Sequence, residues 1–193
     1  MKLGIFGGTF NPIHLGHLIS AQCILEQFGL DRILFIPVKY PVHKKLEAPV
    51  SAEMRYEMTA LAVDDNPDFD CSRMEIDRDE PSYTIITLKR LREMYENAGL
   101  YLIVGADSFN EIPTWRDYRD ILETAAIVRI PRPGSGRERI PDEKNMKVSH
   151  ARNPMIEISS SDIRERVRKG MSIRYLVPRP VEEYIIKREL YRQ

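Results

Sequence analysis

Short apolar runs alternate along this chain with segments of helical periodicity, and this alternation is the main clue to its fold. Because a parallel sheet is buried on both faces, its strands read as short continuous apolar runs separated by helices. The pattern therefore predicts an α/β fold with a parallel sheet covered by helices. The predicted strands are Lys2–Phe6, Arg32–Ile36, Asp70–Glu75, Tyr101–Val104 and Ala126–Ile130.

Helices are predicted from the spacing of apolar residues and from the signals at helix ends. A first helix opens near His17 and ends at Gly29, a residue that favours the left-handed position after a helix. Ser51 is the expected N-cap of a second helix that runs to about Val63. The remaining predicted helices are Tyr83–Ala98, Ser160–Lys169 and a last one opened by Pro180.

Two long stretches, Val38–Val50 and Pro131–His150, are predicted to be loops because both carry prolines and charges and lack periodicity. Neither is interpreted as a domain boundary, since the alternation continues on both sides. A chain of 193 residues is long enough for one domain with a substantial core. We therefore expect a single domain over residues 1–193, with a smaller C-terminal helical part from about residue 159.

Charge and cysteine content narrow the class of protein. The 29 lysines and arginines balance the 29 aspartates and glutamates, so no excess charge favours nucleic acid or an anionic membrane as a partner. Cys23 and Cys71 have no metal or redox spacing and are expected to be reduced. No apolar run approaches the ~20 residues of a membrane span, and the N-terminus is predicted to be a strand rather than a signal peptide. We expect a soluble cytoplasmic protein without nucleic-acid or membrane partners and leave open whether it forms homo-oligomers.

The candidate chemistry begins directly after the first predicted strand, where residues 7–17 read GGTFNPIHLGH. Glycines let the backbone approach a phosphate closely, and a following helix N-terminus offers free N–H groups. His14 and His17 are three residues apart, so both lie on one face of the first helical turn and can donate to the same anion. Phosphate binding is the first hypothesis. The alternative is a glycine turn with two incidental surface histidines.

Two common phosphate-binding motifs do not fit this segment. A Walker A loop would end in Gly-Lys followed by Ser or Thr, and none is present here. A dinucleotide fingerprint would require a third glycine after Gly7 and Gly8 at the fixed spacing, and that glycine is missing as well. Neither of these motifs therefore accounts for the pair of histidines.

Other candidate residues follow the ends of predicted strands, where open α/β sheets bind their ligands. Lys44 lies in the proline-bounded loop after the second strand, where it is either solvated or reaches a triphosphate. Asp107 follows Gly105 after the fourth strand, and it either caps the next segment or accepts from a ribose or nucleobase. Arg132 lies just after the fifth strand.

Three more features have both an ordinary and a functional interpretation. Ser159–Ser161 with Arg164 would gather hydroxyls, N–H groups and a guanidinium around an anion, although a serine run also caps many helices. Ser82 precedes a helix whose hydroxyl-lined N-terminus suits a carboxylate or phosphate, or else is simply its N-cap. Trp115, the single tryptophan, is either a core residue or a platform that stacks on an aromatic ligand.

In their order along the chain, these segments resemble bacterial nicotinate mononucleotide adenylyltransferases, members of the HxGH nucleotidyltransferase superfamily. The resemblance covers nearly the whole chain and rests on GGTFNPIHLGH, PVHK, PSYT, GADS, Trp115, RPG and SSSDIR. It implies a Rossmann-like nucleotidyltransferase domain that joins ATP and nicotinate mononucleotide to give deamido-NAD and pyrophosphate. Two departures are small: Asn11 stands where the family often has aspartate, and Val42 replaces the second proline of Pro-Pro-His-Lys.

The resemblance also implies a role for each matching residue. The catalytic candidates, which would hold the phosphates of ATP, are His14, His17, Lys44 and Arg164. The residues implied beside the phosphates are Gly7, Gly8, Thr9, Phe10, Ser159, Ser160 and Ser161. Those implied around the adenosine are Gly105, Asp107 and Arg132, and those at the nicotinate end are Ser82, Tyr83, Thr84, Thr87 and Trp115.

The implied reaction needs no covalent enzyme intermediate, because the 5′-phosphate of the mononucleotide is itself the nucleophile. The protein has to align the reactants and neutralise charge at the α-phosphorus and the leaving pyrophosphate. Mg²⁺ is expected mainly on the ATP phosphates, since no carboxylate cage is visible, and backbone N–H groups around Tyr83 and Thr84 are the expected donors to the nicotinate carboxylate. Two alternatives stay open: the same transfer to nicotinamide mononucleotide or phosphopantetheine, and a nucleotide-binding module without turnover.

Overall fold

A computed structural model describes residues 1–42, 50–131 and 147–192 of the chain. The strands in this part are β1 (Lys2–Gly8), β2 (Arg32–Pro37), β3 (Phe69–Cys71), β4 (Gly99–Gly105), β5 (Ala126–Ile130) and β6 (Val148–His150). They form one parallel sheet in the order β3-β2-β1-β4-β5-β6. The order reverses between β1 and β4, and in such doubly wound sheets ligands bind outside the carboxyl ends of the strands at the reversal.

The helices that connect and cover these strands follow the sequence signals closely. They are α1 (Leu15–Phe28), α2 (Ala52–Val63), α3 (Thr84–Met94), α4 (Ala106–Glu111), α5 (Tyr118–Thr124), α6 (Ser160–Arg168) and α7 (Arg179–Lys187), with a 3₁₀ turn at Ile112–Thr114. Ser51 caps α2 by accepting from the Met54 N–H at 3.1 Å. Gly29 ends α1 with φ at +56°, the left-handed conformation that glycine adopts without a steric cost.

Alternate residues of each central strand face opposite sides of the sheet and enter two separate apolar cores. In β1, Leu3 and Ile5 face the core built with α3, α4 and α5, whereas Phe6 faces the core built with α1, α2, α6 and α7. In β2, Phe35 enters the second core and Ile36 the first. The expected Rossmann-like α/β sheet with helices on both faces is therefore confirmed.

The differences from the expected elements occur at short or polar segments. The strand predicted over Asp70–Glu75 is limited to Phe69–Cys71, and the helix predicted over Tyr83–Ala98 ends at Met94. Three elements without a strong apolar pattern were not anticipated, and these are α4, α5 and β6. Cys23 and Cys71 are both free thiols, as expected. Within the described residues, no helix combines the length and apolar character that crossing a bilayer requires.

Candidate active site

The turn between β1 and α1 has a strained backbone that is fixed by packing beneath it. Phe10 has φ at +44°, a left-handed conformation that costs a residue with a side chain on the order of 1 kcal/mol or more. Its buried ring packs against Phe6 and Phe35, with centroids 5.8 and 5.9 Å away. A Cβ at Gly8 would come within 2.9 Å of the same ring, so the second glycine of the motif is required by this packing.

The C-terminal part of the chain holds the other end of this turn through hydrogen bonds to its carbonyl groups. The Arg164 guanidinium donates to the Asn11 carbonyl at 2.9 Å, and the Ser160 hydroxyl donates to the Pro12 carbonyl at 2.8 Å. The Tyr191 hydroxyl donates to the Asn11 side-chain oxygen at 2.7 Å. Burial raises the pKa of Tyr191, so this hydroxyl remains a donor well into the alkaline range. Residues about 150 positions apart in sequence therefore share one site.

The two histidines lie side by side at the start of α1. Their rings stack with centroids 3.7 Å apart, and the His17 ring also makes edge contacts with Phe6 and Phe10. The His14 backbone N–H donates to His17 Nδ1 at 3.2 Å, so this nitrogen is an acceptor and the proton of the neutral ring is carried by Nε2. The local fold thereby selects the tautomer of His17 that can donate through Nε2.

Gly16 explains why the motif has a glycine between its histidines. A Cβ at this position would lie 3.1 Å from His14 Nδ1 and 3.2 Å from His14 Cε1. Both distances are shorter than ordinary van der Waals contacts, so the His14 ring would have to move. Because that ring is stacked on His17, any larger residue at position 16 would disturb both imidazoles.

The serines at the start of α6 cap the helix, hold the turn before α1 and line a cavity. Ser159 caps the helix by accepting from the Asp162 N–H at 3.1 Å, which is the ordinary interpretation of a serine at this position. The Ser160 hydroxyl donates its single hydrogen bond to the Pro12 carbonyl. Both serines line a cavity, and so do Ser161 and the buried Arg164. The N-terminus of α6 and a guanidinium thus face the space that the two histidines line.

That space is a cavity of about 630 Å³ at the carboxyl ends of β1 and β4. Its volume lies in the range of ordinary ligand pockets. The sequence-predicted residues that line it are Gly7, Gly8, Thr9, Phe10, His14, His17, Gly105, Asp107, Ser159, Ser160, Ser161 and Arg164. The lining residues that sequence reasoning did not single out as ligand contacts are Phe6, Asn11, Gly16, Ser20, Ser108, Ile130, Pro131, Asn153, Ile156 and Ile158.

A second, smaller cavity of about 170 Å³ lies on the other side of the same turn. The sequence-predicted residues in its wall are Gly7, Gly8, Thr9, Ser82, Thr84, Thr87 and Trp115. The two cavities share the Gly7–Thr9 backbone and Ser108. They are therefore neighbouring compartments of one cleft.

A free backbone donor, the Thr84 N–H, lies beside this second cavity at the start of α3. The Thr84 and Ile85 N–H groups have no hydrogen-bond partner within the described residues, and Tyr83 provides no side-chain cap. The Tyr83 N–H, in contrast, already donates to the Pro81 carbonyl at 2.9 Å. Of the two backbone donors expected from the sequence, the one at Thr84 remains available for an anion and the one at Tyr83 does not.

Thr87 is committed to a buried polar cluster behind the second cavity. Its hydroxyl donates to Glu75 Oε1 at 2.6 Å and accepts from Arg78 at 3.3 Å. Because a threonine hydroxyl has a single proton, this side chain has none left for a ligand. Glu75 and Arg78 are both more than 90% buried and lie 4.0 Å apart as an ion pair. Thr87 thus positions the wall of the cavity.

One described residue that the sequence predicts for the site lies outside both cavities. Tyr83 lines neither cavity, and its ring instead packs against the Arg116 guanidinium at 4.9 Å. Lys44 and Arg132 lie outside the described residues. The apolar wall of the smaller cavity was not assigned as a site, because strand residues such as Ile36 and Leu102 carry only the signal of a core.

Comparison with known proteins shows which family this chain resembles. Residues 5–166 match the model of the family described as cytidylyltransferase-like. A protein of Thermus thermophilus, described as a probable nicotinate-nucleotide adenylyltransferase, is 45% identical over 192 residues that cover all of both chains. A protein of Thermoanaerobacter sp. with the same description is 42% identical, and the match covers all of this chain and 95% of that one.

Solved structures show the same fold at lower sequence identity. The nicotinic acid mononucleotide adenylyltransferase of Plasmodium falciparum complexed with APC superposes with a TM-score of 0.77 at 21% identity, over 98% of this chain and 96% of that one. The same enzyme complexed with NaAD gives a TM-score of 0.76 at 22% identity, over 98% and 97% of the two chains. On its full-length similarity to the curated relatives, this chain belongs to the cytidylyltransferase-like family and, within it, to the nicotinate-nucleotide adenylyltransferases.

Proposed function

We propose that this protein transfers an adenylyl group from ATP to nicotinate mononucleotide, forming deamido-NAD and releasing pyrophosphate. One observation carries the proposal: two cavities meet along the Gly7–Thr9 backbone, and their walls have different chemistry. The larger one has imidazoles, a guanidinium and a helix N-terminus. The smaller one has an indole ring and the free backbone N–H of Thr84. This arrangement supports a polyphosphate on one side and an anionic aromatic acceptor on the other.

In the larger cavity, we assign the phosphates of ATP to His14, His17, Arg164 and the start of α6. Their donors come from two helix N-termini and one buried guanidinium, which suits an extended polyanion. We assign the adenosine to the side formed by Gly105 and Asp107 at the end of β4. Lys44 and Arg132, by resemblance to the family, would add charge from the triphosphate and adenosine sides.

In the smaller cavity, we assign the nicotinate ring to the face of Trp115 and its carboxylate to the Thr84 N–H at the start of α3. A helix N-terminus favours a negative group, and an indole ring favours a flat aromatic one. Ser82 supports this wall, because its N–H donates to the Tyr40 carbonyl at 3.2 Å and its hydroxyl accepts from the Tyr40 N–H at 3.4 Å. Ser82 keeps its own hydroxyl proton for a ligand.

The reacting groups meet where the two cavities share the Gly7–Thr9 backbone. An oxygen of the acceptor 5′-phosphate attacks the α-phosphorus, and the bond from that phosphorus to the bridging oxygen of pyrophosphate breaks. The acceptor is already anionic, so no general base is required. His14, His17 and Arg164 neutralise the charge that develops on the α-phosphate and on the departing pyrophosphate.

We propose that Mg²⁺ enters with ATP and is held mainly by its phosphates and by water. Among the described residues, no group of three or more His, Cys, Asp or Glu side chains is placed to hold a metal ion. Asp107 is the one carboxylate within the described lining of the larger cavity, which suits an ion that keeps most of its ligands from substrate and solvent. When bound, Mg²⁺ would lower the charge repulsion among the phosphates.

We also propose that residues 1–193 work as a single nucleotidyltransferase domain, with the helical part from about residue 159 completing the site. The contacts of Ser160 and Arg164 with the turn before α1 support this proposal. Neither part has a complete set of phosphate donors alone.

The experiment that tests the function is pyrophosphate release from ATP with nicotinate mononucleotide, nicotinamide mononucleotide or phosphopantetheine as acceptor. We expect turnover with nicotinate mononucleotide and formation of deamido-NAD, detected by chromatography. Faster turnover with another acceptor would refute the assigned substrate, and no turnover with any of them would leave a binding module. His17→Ala should lower turnover far more than it weakens nicotinate mononucleotide binding. His150→Ala, at an exposed position on β6, is the matched control.

A further inference from the structure

Arg55 is a buried cation beneath the phosphate-binding turn, and no motif points to it. It lies in α2 and has 0% of its surface exposed. One arm of its guanidinium donates to the Thr9 carbonyl at 2.7 Å, and the other donates to the Lys39 carbonyl at 3.3 Å. The planar fork therefore joins the turn after β1 to the segment after β2.

The charge of Arg55 is not balanced by any residue in the described part of the chain. No described carboxylate forms an ion pair with it, and its Nε has no hydrogen-bond partner within the described residues. Burial lowers the pKa of the guanidinium, which reflects the cost of holding a cation away from water. Burying an ion without a counter-charge is expensive, because carbonyl dipoles replace only part of its hydration. A bound anion near Arg55 would offset this cost.

The hydrogen bond from Arg55 also fixes the direction of a peptide group. In a trans peptide the C=O and N–H point in opposite directions, and the Thr9–Phe10 bond is trans. Because the Thr9 carbonyl points inward to Arg55, the Phe10 N–H points the opposite way. Thr9 and Phe10 both line the larger cavity, and the Phe10 N–H has no hydrogen-bond partner within the described residues.

We propose that Arg55 is a positioning residue for polyphosphate binding, which presents the Phe10 N–H to the anion and places a positive charge beneath it. The anion in turn supplies a counter-charge to the buried guanidinium. This inference rests on the proposed use of the larger cavity as the phosphate site. It adds a residue from α2 to a site otherwise built from α1, α6 and the strand ends.

The test compares Arg55→Met and Arg55→Lys with a matched control, Arg92→Met. Arg92 also bridges two carbonyl groups, those of Ala98 at 2.6 Å and Thr124 at 2.7 Å, but it lines neither cavity. Binding of inorganic pyrophosphate and of ATP with Mg²⁺ is measured by calorimetry. The thermal unfolding midpoint is recorded with and without each ligand, and kcat and both KM values are determined.

We expect Arg55→Met to weaken pyrophosphate and ATP binding about tenfold or more, since a hydrogen bond to a charged group and a nearby charge are both lost. The KM for nicotinate mononucleotide should rise less than the KM for ATP, because Phe10 lines the larger cavity, and Arg55 reaches the segment beside the smaller cavity through its longer, 3.3 Å bond to the Lys39 carbonyl. Arg55→Lys keeps the charge but loses the fork, so we expect a smaller loss, about threefold. Arg92→Met should lower the unfolding midpoint and leave both affinities unchanged.

Wild-type affinity in Arg55→Met would overturn the proposal, and so would an equal loss in Arg92→Met. If Arg55→Met does not fold, wild-type pyrophosphate affinity in Arg55→Lys overturns it instead. Pyrophosphate binding separates this inference from the proposed function. A wild-type protein that binds pyrophosphate through Arg55 but makes no deamido-NAD refutes only the function.

Discussion

Gly7 offers the sharpest test of the two-cavity arrangement, because adding one methyl group should raise stability and impair binding at once. Alternation along β1 places Leu3, Ile5 and Gly7 on the same face of the sheet, and Ile5 lines the smaller cavity. A Cβ at Gly7 would meet no atom within 4 Å. The methyl group of Gly7→Ala would therefore enter open space in the smaller cavity without a clash.

The expected magnitudes follow from the size of that cavity. A methyl group is about as large as a water molecule, and a cavity of about 170 Å³ leaves little room for one beside a fitted ring. Forcing a fitted ligand around an extra methyl costs about 1–3 kcal/mol, which raises the KM for nicotinate mononucleotide between about 5-fold and 150-fold. The KM for ATP should change less. The free energy of unfolding should rise by about 0.5–1 kcal/mol, because alanine is favoured over glycine inside a strand.

The assay pairs urea unfolding with steady-state kinetics in both substrates. Gly99→Ala is the control, since its Cβ would lie 3.5 Å from Tyr101, an ordinary contact, at the opposite end of the neighbouring strand β4. A Gly7→Ala protein with the wild-type KM for nicotinate mononucleotide would show that the acceptor does not occupy the smaller cavity. A rise in the KM for ATP alone would reverse the assignment of the two cavities.

Three further predictions concern individual side chains. Gly16→Ala should lower kcat with little change in unfolding midpoint, because its Cβ displaces the His14 ring; an unchanged kcat would exclude a role for the position of that ring. Thr87→Val should destabilise the protein by about 1–3 kcal/mol in urea unfolding, because Glu75 loses its buried donor. Thr87→Ser keeps the hydroxyl and should keep most of the stability. Equal losses of stability in both variants would contradict this. Partial burial raises the pKa of the Cys71 thiol to about 12, so maleimide labelling at pH 8 should be slow in native protein and fast in urea, as read by mass spectrometry. Fast labelling of Cys71 in native protein would refute the raised pKa.

The sheet was predictable from the sequence because its central strands are apolar on both faces. β1, β2, β4 and β5 all begin within two residues of the expected position. β6 could not be predicted in the same way, since Val148–His150 is a three-residue strand with exposed polar side chains that pairs with β5 at the edge of the described sheet. The six-residue helix α4 is likewise too short to show a periodicity. It follows β4 directly, and its residues Ala106 and Phe109 are buried.

The residues of the candidate site likewise fall into those that a local sequence pattern predicts and those that it does not. Gly8 and the two histidines were identified from local spacing, and the structure gives a steric reason for Gly8 and for Gly16, which was noted only as part of the motif. Glu75 lay inside a predicted strand, so its buried ion pair with Arg78 was not foreseen. In the sequence, Arg55 is one charged residue of a predicted helix and belongs to no motif. Its burial depends on carbonyl groups of Thr9 and Lys39, which are distant in sequence.

The turn that carries the motif therefore depends on side chains from other parts of the chain. Three of its carbonyl groups, those of Thr9, Asn11 and Pro12, are bound by side chains from α2 and α6. Each of these bonds gives a carbonyl oxygen a donor, so an anion in the cavity would meet a partly compensated dipole in place of a free one. Helix packing on one face of the sheet thus decides the electrostatic character of a loop at its edge. A sequence motif of this kind predicts where phosphate would bind, but side chains from distant helices, among them Arg55 with no signal of its own, prepare the loop for it.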